Sequence, residues 1–178
     1  MRRNDLFILT GAPGTGKTAI LNSLGSDARC VDEPAREILS EQRSAGGAGT
    51  PGRDPSLFVE LLLRRSIEKY EAARRWEGSV VFDRGIPDCI AYASVLGADP
   101  APSTRAAEVY RYHREVFVLE PWEGIYTVDD ERTVSFAETL RFHEALVEAY
   151  ERAGYVLVEV PRDPIENRVT FVRDAIER

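Results

Sequence analysis

Eight consecutive residues, Gly11, Ala12, Pro13, Gly14, Thr15, Gly16, Lys17 and Thr18, have the spacing of a loop that wraps phosphate. Glycine lets successive backbone N–H groups turn inward around phosphate oxygens, where a side chain would block the approach. Lys17 is expected to neutralise the outer phosphates, and the Thr18 hydroxyl to sit on a Mg²⁺ ion that bridges them. The choice of cation is informative. The chain has 23 Lys and Arg residues, and the only lysines are Lys17 and Lys69. One of the two falls where a phosphate loop requires it.

Further along, Asp83 and Arg84 follow the apolar run Val80-Val-Phe82. A carboxylate at the end of a buried strand is placed to stand next to the magnesium ion, although an aspartate there also suits a simple turn. Arg84 is either a surface arginine or a group that holds a substrate or a transferring phosphoryl group. Glu33, with Asp32 before it, ends another short run and precedes Pro34. It can accept the proton of an attacking hydroxyl, or simply begin a helix. Arg36 lies one helical turn later and is expected to share its cleft. Arg132, within the polar stretch 123–133, and Arg141 beyond it are candidates to close on a phosphoryl group and exclude water. His113 and His143 have no evident partners and read as structural.

These groups need a frame. Asp5–Thr10 reads as a buried strand, and Thr18–Leu24 as a helix stopped by Gly25. Strands are expected at 28–33, 79–82, 115–119 and 155–160. Helices are expected from Pro34, from Asp54 to about Trp76, from Ile86, from a Ser103 cap to Tyr112, from a Ser135–Glu138 capping box to Gly154, and from an Asp163 cap. Leu57, Leu61, Ile67 and Tyr70 are the expected burial candidates of the long helix. The last helix carries Ile165, Val169, Val172 and Ile176 on one face. The glycine-rich segment 44–52 is either a solvated connector or a substrate-covering loop. Five strands separated by helices specify an α/β fold, a parallel sheet with helices on both faces. Ligands then bind beyond the C-terminal ends of the strands. That rule gathers Gly11–Thr18, Glu33, Asp83 and Arg84 on one rim.

At 178 residues the chain fits a single domain, 1–178. Its net charge of −7 argues against a general nucleic-acid-binding surface. No run approaches a transmembrane span and Met1–Asp5 lacks the pattern of a signal peptide, so a cytoplasmic location is expected. Cys30 and Cys89 suggest neither a zinc site nor a disulfide framework. Tyr92, Tyr110, Tyr112 and Trp122 are core residues or a platform for a planar ring.

The chain resembles the AAA-like ATPase/kinase family of phosphate-loop proteins, relatives of nicotinamide ribonucleoside kinase domains. The likeness rests on Gly11–Thr18, on Glu33-Pro-Ala-Arg36-Glu37, on Val81-Phe-Asp83-Arg84-Gly85-Ile-Pro-Asp88, on Trp122 through Arg132, and on Gly154–Pro161 followed by Arg168-Val-Thr-Phe171. It implies a nucleoside-kinase-like fold with strand order 2-3-1-4-5, a lid near 123–135 and Mg-ATP as donor. By the same resemblance Glu33 activates the acceptor hydroxyl, and Arg168 lies near the donor base. The expected activity is phosphoryl transfer from ATP to a small-molecule hydroxyl, by a monomer or homodimer. The alternative is an ATP-binding switch that acts through a protein partner. Lys69, between Glu68 and Tyr70, does not supply the base-reading motif of a guanine-specific switch.

Overall fold

The structure, a computed structural model, describes residues 5–25, 27–123 and 135–178. Five parallel strands form one sheet in the order β2-β3-β1-β4-β5. They are β1 Leu6–Gly11, β2 Arg29–Val31, β3 Val80–Asp83, β4 Glu115–Leu119 and β5 Val156–Glu159. The inner strands β1 and β3 are buried along their whole length, because helices cover both their faces. The edge strands are more exposed: β2 at Arg29, β5 at Val156 and Glu159.

Strand alternation sorts the core into two layers. Phe7 and Leu9 of β1, Val81 of β3, and Phe117 and Leu119 of β4 face α1 (Lys17–Leu24) and α7 (Ile165–Ile176). Leu6, Ile8, Val80, Phe82 and Val116 face the other way, against α4 (Ile86–Leu96), α5 (Ala101–Val109) and α6 (Phe136–Arg152). A third cluster joins α2 (Pro34–Ala45), α3 (Pro55–Ala73) and α4 through Ile38, Phe58, Leu62 and Cys89. Among the described residues no helix is long and apolar enough to cross a membrane.

Several expectations shift. β2 stops at Val31, leaving Asp32 and Glu33 beyond the strand, and Pro34 starts α2. In α3 the fully buried positions are Phe58, Val59, Leu62, Ser66 and Ala73, whereas Leu57, Leu61, Ile67 and Tyr70 are half-buried, the last three packed against the core from its margin. Asp54 does cap this helix, accepting from the Leu57 N–H at 2.9 Å. Ser103 is no cap. Helix α5 begins at Ala101, whose N–H donates to Asp99, and Ser103 lies inside it, buried. That helix ends at Val109, so Tyr112 leaves it and enters the core. Asp163 is likewise displaced as cap by Pro164. Ser135 and Glu138 form the expected capping box. The glycine-rich connector is held from both ends, by Gln42 accepting from the Gly49 N–H and Arg53 donating to the carbonyls of Gly46 and Gly47.

Candidate functional site

The loop between β1 and α1 carries positive φ at Gly11, Gly14 and Gly16, values open to glycine at little cost. Gly16 is also tightly approached: a Cβ there would sit 2.9 Å from an Arg168 guanidinium nitrogen. The Lys17 ammonium is buried inside its own loop and donates to the carbonyls of Gly11 (2.8 Å) and Ala12 (3.1 Å). Thr15 closes the loop by donating to the Ala12 carbonyl. Burial, then the charge of Arg84, push the Lys17 pKa down to about 8, against the opposing pull of Asp83, Glu33 and Asp88. Pro13 and Thr18 are less enclosed, and Thr18 is exposed at the start of α1.

Asp83 ends β3 and is buried, with Oδ1 unpartnered among the described residues. Burial raises its pKa while Lys17 opposes the rise. Asp83 and Thr18 line the same open cleft. A buried carboxylate oxygen without a partner among the described residues, in the same cleft as a hydroxyl at a helix start, is a hard-oxygen donor set that suits Mg²⁺. Among the described residues no group of three His, Cys, Asp or Glu could hold a metal ion. Thr18 and Asp83 would supply two oxygens to such an ion.

Arg84 is the least ordinary residue in the chain. It is the only described non-glycine residue with positive φ, at 76°, and its side chain is 3% exposed. Nε donates to Glu33 at 2.8 Å and Nη1 to Asp88 at 3.0 Å. The guanidinium also lies 5.5 Å from the Phe142 ring centre and 5.8 Å from that of Tyr92. Burial works against its charge, but Tyr92, Glu33, Asp88 and Asp83 together keep it firmly protonated. Glu33 feels the converse. Burial would raise its carboxyl, yet the charges of Arg84 and Lys17, the Arg84 hydrogen bond and Arg36 hold its pKa down to about 2. Arg36 is exposed, 3.7 Å from Glu33.

Asp88, which the sequence reading quotes only as the end of the Val81–Asp88 motif and gives no role, is the buried partner of Arg84. Its Oδ1 accepts from Thr10 and Arg84, and its Oδ2 from the Gly85 N–H and the Tyr150 hydroxyl. The available signal was an acid three residues after Gly85 at a helix start. Arg168 reaches from α7 to the phosphate loop and donates to the Thr15 carbonyl at 2.7 Å, with its buried Nε unpartnered among the described residues. Burial alone lowers its pKa. It thus lies at Gly16, on the loop itself. Arg141 is exposed on α6, beside the buried Phe142. Arg132 and nearly all of the expected lid fall outside the described residues. His113 packs on Phe7 and accepts from the Glu115 N–H, a structural role. Tyr92 packs against Phe58 and Phe142, and Tyr110 and Tyr112 against Tyr70. Both cysteines are free.

Comparison with known proteins follows the geometry. A family profile described as an AAA domain matches residues 6–168. A search of curated proteins finds no significant match. Among solved structures, the thymidylate kinase of Candida albicans superposes with a TM-score of 0.68 at 15% identity, covering 98% of this chain and 92% of the other. A deoxyadenosine kinase from M. mycoides gives 0.67 at 12% identity, covering 97% and 98%. The NadR protein, in complex with NAD and AMP-PNP, gives 0.70 at 16% identity, covering 98% of this chain and 49% of its own. The chain thus spans about half the length of NadR. At these identities the likeness is one of fold.

Proposed function

We propose that this chain, which belongs to the AAA domain family, is a Mg-ATP-dependent kinase that phosphorylates a hydroxyl of a small molecule. The observation that carries the reading is the convergence of Lys17, Asp83, Arg84 and Glu33, drawn from three separate loops, on one rim where phosphate and acceptor would meet. The solved structures that share its fold include nucleoside and nucleotide kinases, which supports the same class of chemistry.

In this reading the amides of Gly11–Thr18 and the Lys17 ammonium bind the donor's phosphates, and Arg168 fixes the loop from behind. Thr18 and Asp83 hold Mg²⁺, which neutralises charge on the outer phosphates when bound. The acceptor oxygen forms a bond to the γ-phosphorus as the bond to the β-bridging oxygen breaks, and ADP leaves. Glu33 orients the acceptor hydroxyl. A carboxylate held at a pKa of about 2 is a weak base. It therefore takes the proton late, once transfer of electron density to phosphorus has made the hydroxyl acidic, as a loose transition state allows. Arg84 holds that carboxylate and adds positive charge beside the transferring group. Arg36, Arg132 and Arg141 are the further arginines assigned to the acceptor and the closing lid.

The test is incubation with Mg-ATP and pooled nucleosides, sugars and amino sugars, read by mass spectrometry for an acceptor heavier by one phosphate. Lys17→Ala is expected to abolish the product. Glu33→Gln is expected to lower turnover by about 10²-fold or more while ATP still binds. ATP hydrolysis without any transfer, stimulated by a protein partner, would replace this reading with that of a switch.

A further inference from the structure

Two arginines are buried among the described residues, Arg84 and Arg168, and they are balanced differently. Arg84 is paired with Glu33 at 2.8 Å and with Asp88 at 3.0 Å. No described carboxylate offsets Arg168. Burial is the one influence on its pKa, and it is downward, while its buried Nε–H has no partner among the described residues. A buried cation without a counter-charge is costly to hold. It is balanced only when an anion arrives.

The guanidinium lies against the Thr15–Gly16 peptide. Nη2 donates to the Thr15 carbonyl at 2.7 Å, and Nη1 stands 2.9 Å from where a Gly16 Cβ would be. The carbonyls of Gly11 and Ala12 are held from within the loop, by Lys17 and Thr15. The Thr15 carbonyl is held from outside it, by a side chain of α7 that is 153 residues away. A trans peptide points its C=O and its N–H in opposite directions. Holding the Thr15 carbonyl towards α7 therefore turns the Gly16 N–H away from α7, into the loop. Among the described residues no hydrogen bond takes up that N–H. A charged donor on the carbonyl also draws electron density from the amide, which makes the N–H a stronger donor.

We propose, resting on the donor half of the kinase reading, that Arg168 is a positioning residue for the donor triphosphate. It aims and polarises the Gly16 N–H, and phosphate bound in the loop balances its charge. Its effect is on phosphate and not on the base, which separates it from the role that the resemblance implies.

The experiment is calorimetric titration of the full chain with Mg²⁺ and three ligands: non-hydrolysable analogues of ATP and of GTP, and inorganic tripolyphosphate, which has no base. Arg168→Met, similar in length but without charge or donor, should weaken all three by a common factor of about tenfold or more. Arg168→Lys, which keeps the charge and a donor, should recover part of the loss. Should Arg168→Met fail to fold, Arg168→Lys carries the same comparison with a smaller common factor. A ¹⁵N–¹H correlation spectrum of the free variant should show the Gly16 amide nitrogen moved upfield, with Gly11 and Gly14 moving far less. A merely structural role would not single out that amide. Loss of affinity for the ATP analogue alone, unchanged or absent binding of tripolyphosphate where the analogues bind, or an unmoved Gly16 amide would overturn the inference. The two readings fail separately. If all three ligands weaken together but no acceptor ever gains phosphate, the positioning role stands and the kinase falls. If an acceptor is phosphorylated while tripolyphosphate binding ignores Arg168, the kinase stands and this inference falls.

Discussion

Lys17 sets a pH dependence that is already present in the unliganded protein. Its ammonium is enclosed by the loop, and burial followed by the Arg84 charge brings its pKa from 10.5 down to about 8. In the proposed complex, phosphate oxygens require the charged form. Above pH 8 the free protein has lost that proton and must take it up on binding, so affinity for ATP should fall by about tenfold per pH unit there and stay level near pH 6.5. Calorimetry in buffers of different ionisation enthalpy should find proton uptake rising from near zero at pH 6.5 towards one above pH 9. Absence of uptake would mean that Lys17 does not titrate in this range. The stability effect has the opposite sign. Between about pH 8 and 10.5 the unfolded chain holds a proton that the folded chain has released, so this group makes the unliganded fold more stable as pH rises.

Helices α4 and α6 meet at Asp88, which ties the start of α4 to Thr10 at the end of β1 and to Tyr150 in α6. A buried carboxylate with four donors, one of them Arg84, is held at high local cost if any one is removed. Asp88→Asn removes the charge beside a buried guanidinium and should cost about 3–5 kcal/mol in denaturant unfolding. Tyr150→Phe, which loses only a hydrogen bond to a charged group, should cost about 1.5–3 kcal/mol. On the kinase reading, Asp88→Asn also lowers kcat with little change in ATP affinity, because Arg84 loses a charged partner while the contacts within the phosphate loop remain, and Tyr150→Phe, which leaves the Arg84–Asp88 pair in place, lowers it less. Equal loss of ATP affinity would show that the network supports the loop instead. The same residues show what sequence could and could not reveal. The phosphate loop was legible because all its parts lie within eight positions, and Asp83-Arg84 because they end an apolar strand. Asp88 was not, since its partners Thr10 and Tyr150 are 78 and 62 residues away. Arg168 was placed near the donor by resemblance, but its contact with Thr15, across 153 residues, could only come from the fold. Helix α3 defeated periodicity for another reason. It packs against both α2 and α4, so its buried arc is broad and the apolar pattern does not fix its centre.

The sheet gathers the rim because every strand runs the same way, so the loops after β1, β2 and β3 open at one end. The three apolar clusters meet through elements that also carry this rim: α1 and α7 grip the phosphate loop from one face, and α2, α3 and α4 support Glu33 and Arg84 from the other. A ligand seated there touches both layers, so its binding energy is linked to the cohesion of the fold as one unit. With Mg-ATP at a hundredfold excess over its Kd, the expected gain is about 2.7 kcal/mol. For a chain of this size that corresponds to a rise in melting temperature of about 5–10 °C. Differential scanning calorimetry should show one transition that moves as a whole, and Lys17→Ala should remove the shift. Two transitions, of which Mg-ATP moves only one, would show that the α2–α3 layer with Glu33 unfolds apart from the phosphate loop. Acceptor and donor sites would then be joined only through the β2–β3 edge, and closure of the cleft, not the rigid rim, would have to align them.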